Sequence, residues 1–475
     1  MINEKIIKLI REYNPWWELR ELKELKVPEY KRYIFSDVEK YLRTKQIIAI
    51  IGLRRVGKTV LIKQIISELK IEKYNAFYFL FDDLATQDPE LLYDILDYYL
   101  KNISKNGRKY IFLDEIQKVS NWHDILKRFY DTREDIKFIV SGSASLQIRK
   151  SKESLAGRIF DFYLPILTYK EFLELNLGET IDNSGRYMTF SPEFSNKTIS
   201  NDSHITNEIV YKKIESDFSK FKDFYEANLH KKSLYENMFN EYILKGAFPE
   251  IAKEKDIEII KNYVKSSVTE KIIFEDIPAV FDVRRKDILS SILEYCGRET
   301  SNLLDITNLS KILGADFQTI RSYLFYLKNS YILDLLYNYS NSSSKQLRKN
   351  KKVHIAHPCI DLAMKNHGRN ILEINDVVGR YAETIIFQHV KLLSKEIAFW
   401  RTPQKEEVDI ILDKLPIEVK YRRDIKNSEL KPLIKFMNGF KIDKGYIISK
   451  DILLKKEIDN KEILFVPAWL FLLSI

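Results

Sequence analysis

Apolar and polar positions change period several times along this chain, and each change marks a different kind of element. Residues 1–45 alternate charged and apolar positions at helical spacing, broken only at Asn14-Pro15-Trp16-Trp17, which predicts a helical lead-in packed on the sheet that follows. From 46 to about 175, short β-rich runs alternate with helical ones. The strand candidates are Ile47–Ile51, Ala76–Phe81, Tyr110–Leu113, Ile136–Val140 and Phe160–Leu164. That alternation predicts an α/β fold, a parallel sheet wound on both faces with ligand at the carboxyl ends of its strands.

Residues 176–232 are polar and weakly periodic until Tyr211, and read as an insertion with a flexible start. Helical patterns fill 233–295, interrupted at Gly246-Ala-Phe-Pro-Glu250. Within 296–356, two helical runs, Ile306–Leu313 and Phe317–Lys328, flank the short turn Gly314-Ala315-Asp316. This is the spacing of a helix-turn-helix, with Tyr331–Tyr337 and Val353–Ile355 as wing strands and Gln318, Thr319, Arg321 and Ser322 as the residues that would face a DNA groove. Docking of a protein is the equal alternative. From 357 to 475 a helical run from Glu383 to about Leu393 precedes three strand-like runs, 397–402, 408–412 and 416–420.

Chemistry enters at the first strand. Gly52-Leu53-Arg54-Arg55-Val56-Gly57-Lys58-Thr59 stands between the apolar run 47–51 and the helical run 60–70. A G-x-x-x-x-G-K-T loop in that setting is a phosphate cradle: its glycines let backbone N–H groups converge on one anion, and the helix start adds a positive dipole end. Gly52, Arg54, Arg55, Val56, Gly57, Lys58, Thr59 and Val60 are therefore the nucleotide-binding candidates, with Lys58 on the β- and γ-phosphates of ATP and Thr59 on Mg²⁺. The run Lys109-Tyr-Ile-Phe-Leu-Asp-Glu115 ends a buried strand in two carboxylates. Asp114 suits the Mg²⁺ water shell and Glu115 the general base that activates water. Ser141, after the fourth strand, is placed to sense the γ-phosphate, although Ser is also an ordinary loop residue. Arg158 is a candidate arginine finger, from its own chain or a neighbouring copy, with a surface salt bridge as the alternative.

The carboxy-terminal run carries a second constellation. Asp409 lies on one apolar strand, while Glu418 and Lys420, two apart, share a face of the next. Glu383 adds an acid from the preceding helix. Two carboxylates and a lysine on adjacent strands form the D…E-x-K core of PD-(D/E)XK nucleases, in which Asp409 and Glu418 would hold Mg²⁺ or Mn²⁺, Lys420 would position or deprotonate water or steady the pentavalent charge, and Glu383 would complete the metal shell or hydrogen-bond to it. A hairpin with solvent-facing charges is the alternative.

Composition narrows the partners. Of the net charge of +9, a surplus of 8 falls in residues 345–475, where 25 Lys and Arg face 17 Asp and Glu. A basic carboxy-terminal part favours a polyanion such as DNA, although a basic loop is often only a solvated face. Two cysteines without ligand or pair spacing, no apolar run of spanning length and no signal-like start predict a cytoplasmic protein with no membrane partner.

With these pieces together, the chain resembles a family of archaeal and bacterial AAA-type P-loop ATPases that carry a winged helix and a carboxy-terminal domain of unknown function with a PD-(D/E)XK-like fold. The segments that carry the resemblance are Gly52–Thr59, Leu113–Lys118, Val140–Ser143, Ser154–Arg158, Gly246–Glu250, Trp400–Thr402, Glu407–Ile411 and Ile417–Lys420. Beside the lead-in at 1–45, it implies an ATPase core at 46–175, a helical lid at 233–295, the winged helix at 296–356 and the nuclease-like domain at 357–475, while the polar insertion at 176–232 is longer than the pattern leads one to expect. The chain departs from the pattern at Val353–Pro358, where His357 stands before Pro358 in place of an acid. The expected function is an ATPase coupled to a metal-dependent DNA nuclease or DNA-processing domain. The alternative is a nucleotide-dependent switch that binds DNA or a protein, or assembles with its own copies, and cuts nothing.

Overall fold

Apolar strands with no alternation are strands buried on both faces, and the first of them set the frame of the molecule. The computed structural model describes residues 4–82, 88–142, 155–178, 214, 217–339, 351–365, 368–394 and 396–475. β1 (Ile47–Ile51), β2 (Ala76–Leu80), β3 (Lys109–Asp114), β4 (Ile136–Gly142) and β5 (Ile159–Tyr163) form one parallel sheet in the order β2-β3-β4-β1-β5. All five residues of β1 are buried, as expected of a central parallel strand covered by helices on both sides. Because β3, β4 and β1 are neighbours, the residues that follow them converge at one edge of the sheet.

The break at Asn14–Trp17 has a physical reason. β2 is an edge strand, with backbone groups that need covering. Asn14 supplies both halves of a backbone-like pair: its Nδ2 donates to the Tyr78 carbonyl (2.9 Å) and its Oδ1 accepts the Tyr78 N–H (2.7 Å). The indole N–H groups of Trp16 and Trp17 both donate to the Ala76 carbonyl at 3.1 Å. The segment thus seals an edge that would otherwise be open to another strand.

Helices follow from 218 to 298, with the two segments Val264–Thr269 and Ile272–Asp276 wound in wider π turns. β6 (Leu303–Leu304), β7 (Leu333–Leu336) and β8 (Lys351–Ile355) make a small antiparallel sheet in the order β6-β8-β7 beside the helices Ile306–Leu313 and Phe317–Asn329. The basic loop at 345–350 and residues 179–213 of the expected insertion lie outside the described residues. The helix Pro358–Met364, expected to open the carboxy-terminal domain, instead packs on helix Lys286–Arg298 and on the helical stretch 257–269. His357 caps its amino-terminal end, its Nδ1 accepting the Cys359 N–H (3.2 Å), so the residue that departs from the family pattern serves as a helix start signal.

The carboxy-terminal sheet is mixed. β9 (Ile397–Arg401), β10 (Glu407–Leu412), β11 (Leu415–Lys420), β12 (Lys444–Ser449), β13 (Leu454–Ile458) and β14 (Lys461–Pro467) lie in the order β13-β14-β12-β11-β10-β9. Helix Asn375–Val390 packs on β10 and β11, and so does helix Lys431–Phe440. The first of these helices begins at Asn375, eight residues before Glu383, so the run read from Glu383 is its second half. Gly379 inside it costs about 1 kcal/mol against alanine, an amount that burial of Val378, Tyr381, Ala382 and Ile385 exceeds.

One buried group here makes a measurable prediction. His389, fully packed, accepts the Tyr169 N–H at Nε2 (2.9 Å) and sits 2.8 Å from the Ile385 carbonyl at Nδ1, so both nitrogens are used by the neutral ring. Burial pushes its pKa down from 6.5 to about 4. The unfolded chain therefore binds the proton first, and stability that is complete above pH 6.5 is lost as pH falls towards 4. Relative to His389→Gln, the parent should lose about 3 kcal/mol across that window in denaturant titrations.

Candidate functional site

The loop after β1 turns sharply because Gly52 leaves no room for a side chain: a Cβ there would lie 2.3 Å from the Leu164 carbonyl oxygen. Gly57, with φ at +100°, starts helix Lys58–Glu68 from the left-handed region. Between them the Lys58 ammonium donates to the carbonyls of Gly52 (3.2 Å) and Leu53 (3.0 Å). The Thr59 hydroxyl donates to Asp114 Oδ2 (2.6 Å), and the Tyr78 hydroxyl donates to the same oxygen (2.9 Å). Ser141 donates to Asp114 Oδ1, and the Glu115 N–H reaches the Ser141 Oγ at 3.4 Å. Thr59, Asp114, Glu115 and Ser141 thus form one connected set at the carboxyl edge of the sheet.

This donor set fits magnesium and a nucleotide. A hydroxyl and a carboxylate oxygen already in register are hard oxygen ligands, and the Lys58 ammonium holds only loop carbonyls that a phosphate can replace. Glu115 takes φ of +54° at the strand end, and Gln117 donates to its carboxylate (2.5 Å). Burial, and then the neighbouring Asp114, raise its pKa above the usual carboxylate range against the pull of Lys58. A base with a raised pKa accepts a proton more readily.

The loop's arginines point elsewhere than to a phosphate. Arg54 pairs with Asp276 (2.7 Å), and Arg55 approaches Glu250 (3.5 Å), which the Tyr263 hydroxyl also binds (2.6 Å). Val56 is buried, and its carbonyl accepts from Arg32 (2.9 Å). Val60, on the following helix, is 37% exposed. Arg32 also donates to the Pro165 and Ile166 carbonyls and pairs with Glu171 (2.7 Å), so one buried guanidinium ties the loop to the chain after β5. Sequence reasoning passed over Arg32 and Tyr78. Nothing local marks either residue, because their partners lie 24 to 139 positions away.

For Arg158, only the within-chain finger is corrected by its position. It immediately precedes β5, and its carbonyl accepts the Ile47 N–H at the start of β1, the end of the parallel sheet opposite the phosphate loop. Its guanidinium pairs with Asp131 (2.9 Å) and lies over the Tyr130 ring. The structure does not bring Arg158 to its own chain's P-loop. A residue that leads into a parallel strand is carried to the amino-terminal edge, whereas the loop follows its strand.

At the carboxy-terminal sheet, β10 and β11 pair regularly from Leu412↔Leu415 to Ile410↔Ile417, and the pairing of β10 with β9 shifts between Val408 and Ile411. Beyond that point side chains take over from the ladder. Asp409 Oδ2 accepts the Val419 N–H (2.9 Å), and the Asp409 N–H donates to Glu418 Oε2 (3.3 Å). Lys420 pairs with Glu418 (2.5 Å). Asp409, Glu418, Lys420 and Glu383 are therefore gathered in one place, as the spacing suggested.

A further cation stands among them. Lys352 of β8, 2% exposed, pairs with Glu383 (2.8 Å), Glu407 (2.6 Å) and Asp409 (3.0 Å). Arg401 also binds Glu407 (2.5 Å). Burial and Asp409 push Glu383 up to about 8 and Glu418 up to about 7. Burial works against the ionised form of Asp409 too, yet Lys352 and Lys420 hold its pKa below the usual value. Among the described residues no group of three or more His, Cys, Asp or Glu is arranged to hold a metal ion. The expected Mg²⁺ or Mn²⁺ shell of Asp409 and Glu418 does not fit this arrangement, because an ammonium already occupies the carboxylates. Glu407 was the more legible omission, two residues before Asp409 on the same strand.

The parallel sheet, the glycine loop and the paired acids resemble those of P-loop ATPases of the AAA type. Residues 44–173 match the family described as an AAA domain, residues 236–369 a domain of unknown function, DUF8612, and residues 378–469 another, DUF4143. The chain is 27% identical over 468 residues to the uncharacterized protein MJ1637 of Methanocaldococcus jannaschii, covering 94% of this chain and 90% of the relative. An uncharacterized protein of Haemophilus influenzae is 22% identical over 443 residues, covering 90% of this chain and 94% of that one. Among solved structures, Cdc6p from Pyrobaculum aerophilum is 11% identical with a TM-score of 0.27, covering 72% of this chain and 94% of that one. A superposition that loose carries no functional weight. Among the described residues no helix is long and apolar enough to cross a membrane.

Proposed function

We propose that the chain is an ATP-hydrolysing switch whose nucleotide site drives movement of the modules that follow it. The observation that carries this reading is the Thr59–Asp114 hydrogen bond of 2.6 Å with Glu115 next in sequence and Lys58 on the same loop. When bound, Mg²⁺ would supply charge neutralisation for the leaving phosphates. Lys58 binds the β- and γ-phosphates, Thr59 and Asp114 hold the ion, and Glu115 orients and deprotonates the attacking water. Ser141 steadies Asp114. The contacts from Arg54 to Asp276 and from Arg55 to Glu250 give the loop a direct link to the helices at 246–276, through which occupancy is communicated. Phosphate release into solution in Mg²⁺-ATP, compared with Glu115→Gln, tests this assignment; equal release by both proteins would remove it.

The helices Ile306–Leu313 and Phe317–Asn329 with the sheet β6-β8-β7 support a winged helix. Gln318 and Arg321 are exposed on its second helix, as a DNA reader needs, while Thr319 is held by the capping Asp316. Phe317 and Phe325 are also exposed at 48% and 49%, which suits a protein partner. A second reading is a metal-dependent DNA nuclease at the carboxy-terminal sheet, supported by the assembly of Asp409, Glu418, Lys420 and Glu383. The position of Lys352 stands against it in this conformation. Labelled linear, flapped, forked and four-way DNA in Mg²⁺ or Mn²⁺ beside an Asp409→Ala control separates the two: binding without cutting is the expected result, and cutting lost in the control would establish the nuclease.

A further inference from the structure

We propose that the Lys352 ammonium holds the place of a divalent cation in the carboxy-terminal carboxylate cluster, so that the cluster admits a metal ion only when that ammonium is removed. An ammonium has three donors and no acceptor. Here it meets one carboxylate from each of three residues, Glu383, Glu407 and Asp409, at 2.6 to 3.0 Å, with hydrogen bonds donated to Glu383 and Asp409 and an ion pair with Glu407.

Each oxygen of Asp409 and Glu418 already has a partner. Asp409 Oδ1 faces Lys352 and Oδ2 takes the Val419 N–H; Glu418 Oε1 faces Lys420 and Oε2 takes the Asp409 N–H. A six-coordinate hard cation would need several of these same oxygens at about 2.0–2.6 Å. It would then lie next to a second positive charge out of reach of water. The two cations are alternatives.

The cation and its carboxylates come from different sheets. Lys352 is on β8, paired with Leu303 and Leu336, while Glu407, Asp409 and Glu418 are on β10 and β11. The interface around the ammonium is built: Thr300 and Thr384 share a hydrogen bond (2.8 Å), Gln388 donates to the Ile355 carbonyl (2.9 Å), and the Tyr337–Tyr339 backbone pairs with Phe399. His354, on the same strand and fully buried against Thr384, the neighbour of Glu383, has no partner for its Nε2, a nitrogen with ligand capacity to spare. The inference rests on the carboxylates being a set, as in the second reading above, and makes no claim about cutting.

The test counts bound Mn²⁺ by electron paramagnetic resonance on the full chain, with the P-loop ion site silenced by Thr59→Ala and Asp114→Asn. On that background the chain with Lys352 should show no Mn²⁺ that Asp409→Asn removes. Lys352→Gln should gain one Mn²⁺ per chain, bound at least tenfold tighter than any on the background, lost again with Asp409→Asn, and accompanied by a higher melting temperature in Mn²⁺. An Asp409-dependent Mn²⁺ in the chain with Lys352 would overturn the inference, and that arm decides even if the glutamine variant does not fold. A folded Lys352→Gln chain without a gained ion would overturn it too. A gained ion with no DNA cutting would leave it standing and remove only the nuclease reading.

Discussion

Glu115→Gln should bind Mg²⁺-ATP with the parent's affinity and hydrolyse it about 10²- to 10⁴-fold more slowly, the range expected for loss of a positioned general base. The substitution is nearly isosteric, so the Gln117 contact and the backbone at φ of +54° can persist while the basic oxygen is lost. The pH profile adds a second check. Burial and Asp114 raise the Glu115 pKa, and only the ionised carboxylate accepts the proton from water. The acid limb of the parent's hydrolysis rate should therefore fall at a higher pH than an ordinary carboxylate would give, and Glu115→Gln should lack that limb. Isothermal titration for binding and phosphate release for turnover separate the two effects.

Lys352→Met should be the most destabilising single change in the carboxy-terminal part, at about 3–5 kcal/mol near pH 8, because removing one member of a buried ion set strands the others. Three carboxylates lose their shared counter-ion in a site that is 2% exposed at Lys352. The pH dependence has a definite sign. Glu383 at about 8 and Glu418 at about 7 bind protons in the folded chain above the range in which the unfolded chain does. Their contribution is complete below about pH 4.5 and is lost as pH rises through 7 and 8. Without Lys352 that loss grows, so the gap between parent and variant should widen from pH 5 to pH 8 in denaturant titrations. The opposite slope from His389 is common to both proteins and cancels in the difference.

What could be read from the sequence was what is local. The phosphate loop is eight consecutive residues between a buried strand and a helix, and Asp114-Glu115 closes a strand of its own, so both motifs carry their context with them. The five strands of the ATPase sheet were legible because a two-sided parallel strand is continuously apolar, as Ile47–Ile51 is. Three-dimensional convergence was harder. Lys352 reads as one more charge at the end of the basic stretch from Lys345, and its partners lie 31 to 57 residues further on.

Arg158 shows the converse case. Its residue type suits a finger, but its place before β5 puts it at the edge far from its own chain's phosphate loop, a fact available from strand direction alone. Helix Asn375–Val390 extends eight residues before the run expected from Glu383, because burial of Val378, Tyr381 and Ala382 outweighs the low helix propensity of Gly379. Helix Pro358–Met364 joins the helices before it because its apolar residues Cys359 and Ile360 meet the core that residues 288–356 share with the five-stranded parallel sheet. A boundary drawn from composition could not see that contact.

The central claim is that the loop Gly52–Thr59 is the working nucleotide site. Turnover of ATP by the purified full chain, measured in Mg²⁺, in EDTA and beside Lys58→Ala, tests it most directly. Hydrolysis present in Mg²⁺ and lost both in EDTA and in Lys58→Ala is the predicted result. Hydrolysis that survives Lys58→Ala undiminished would contradict the account.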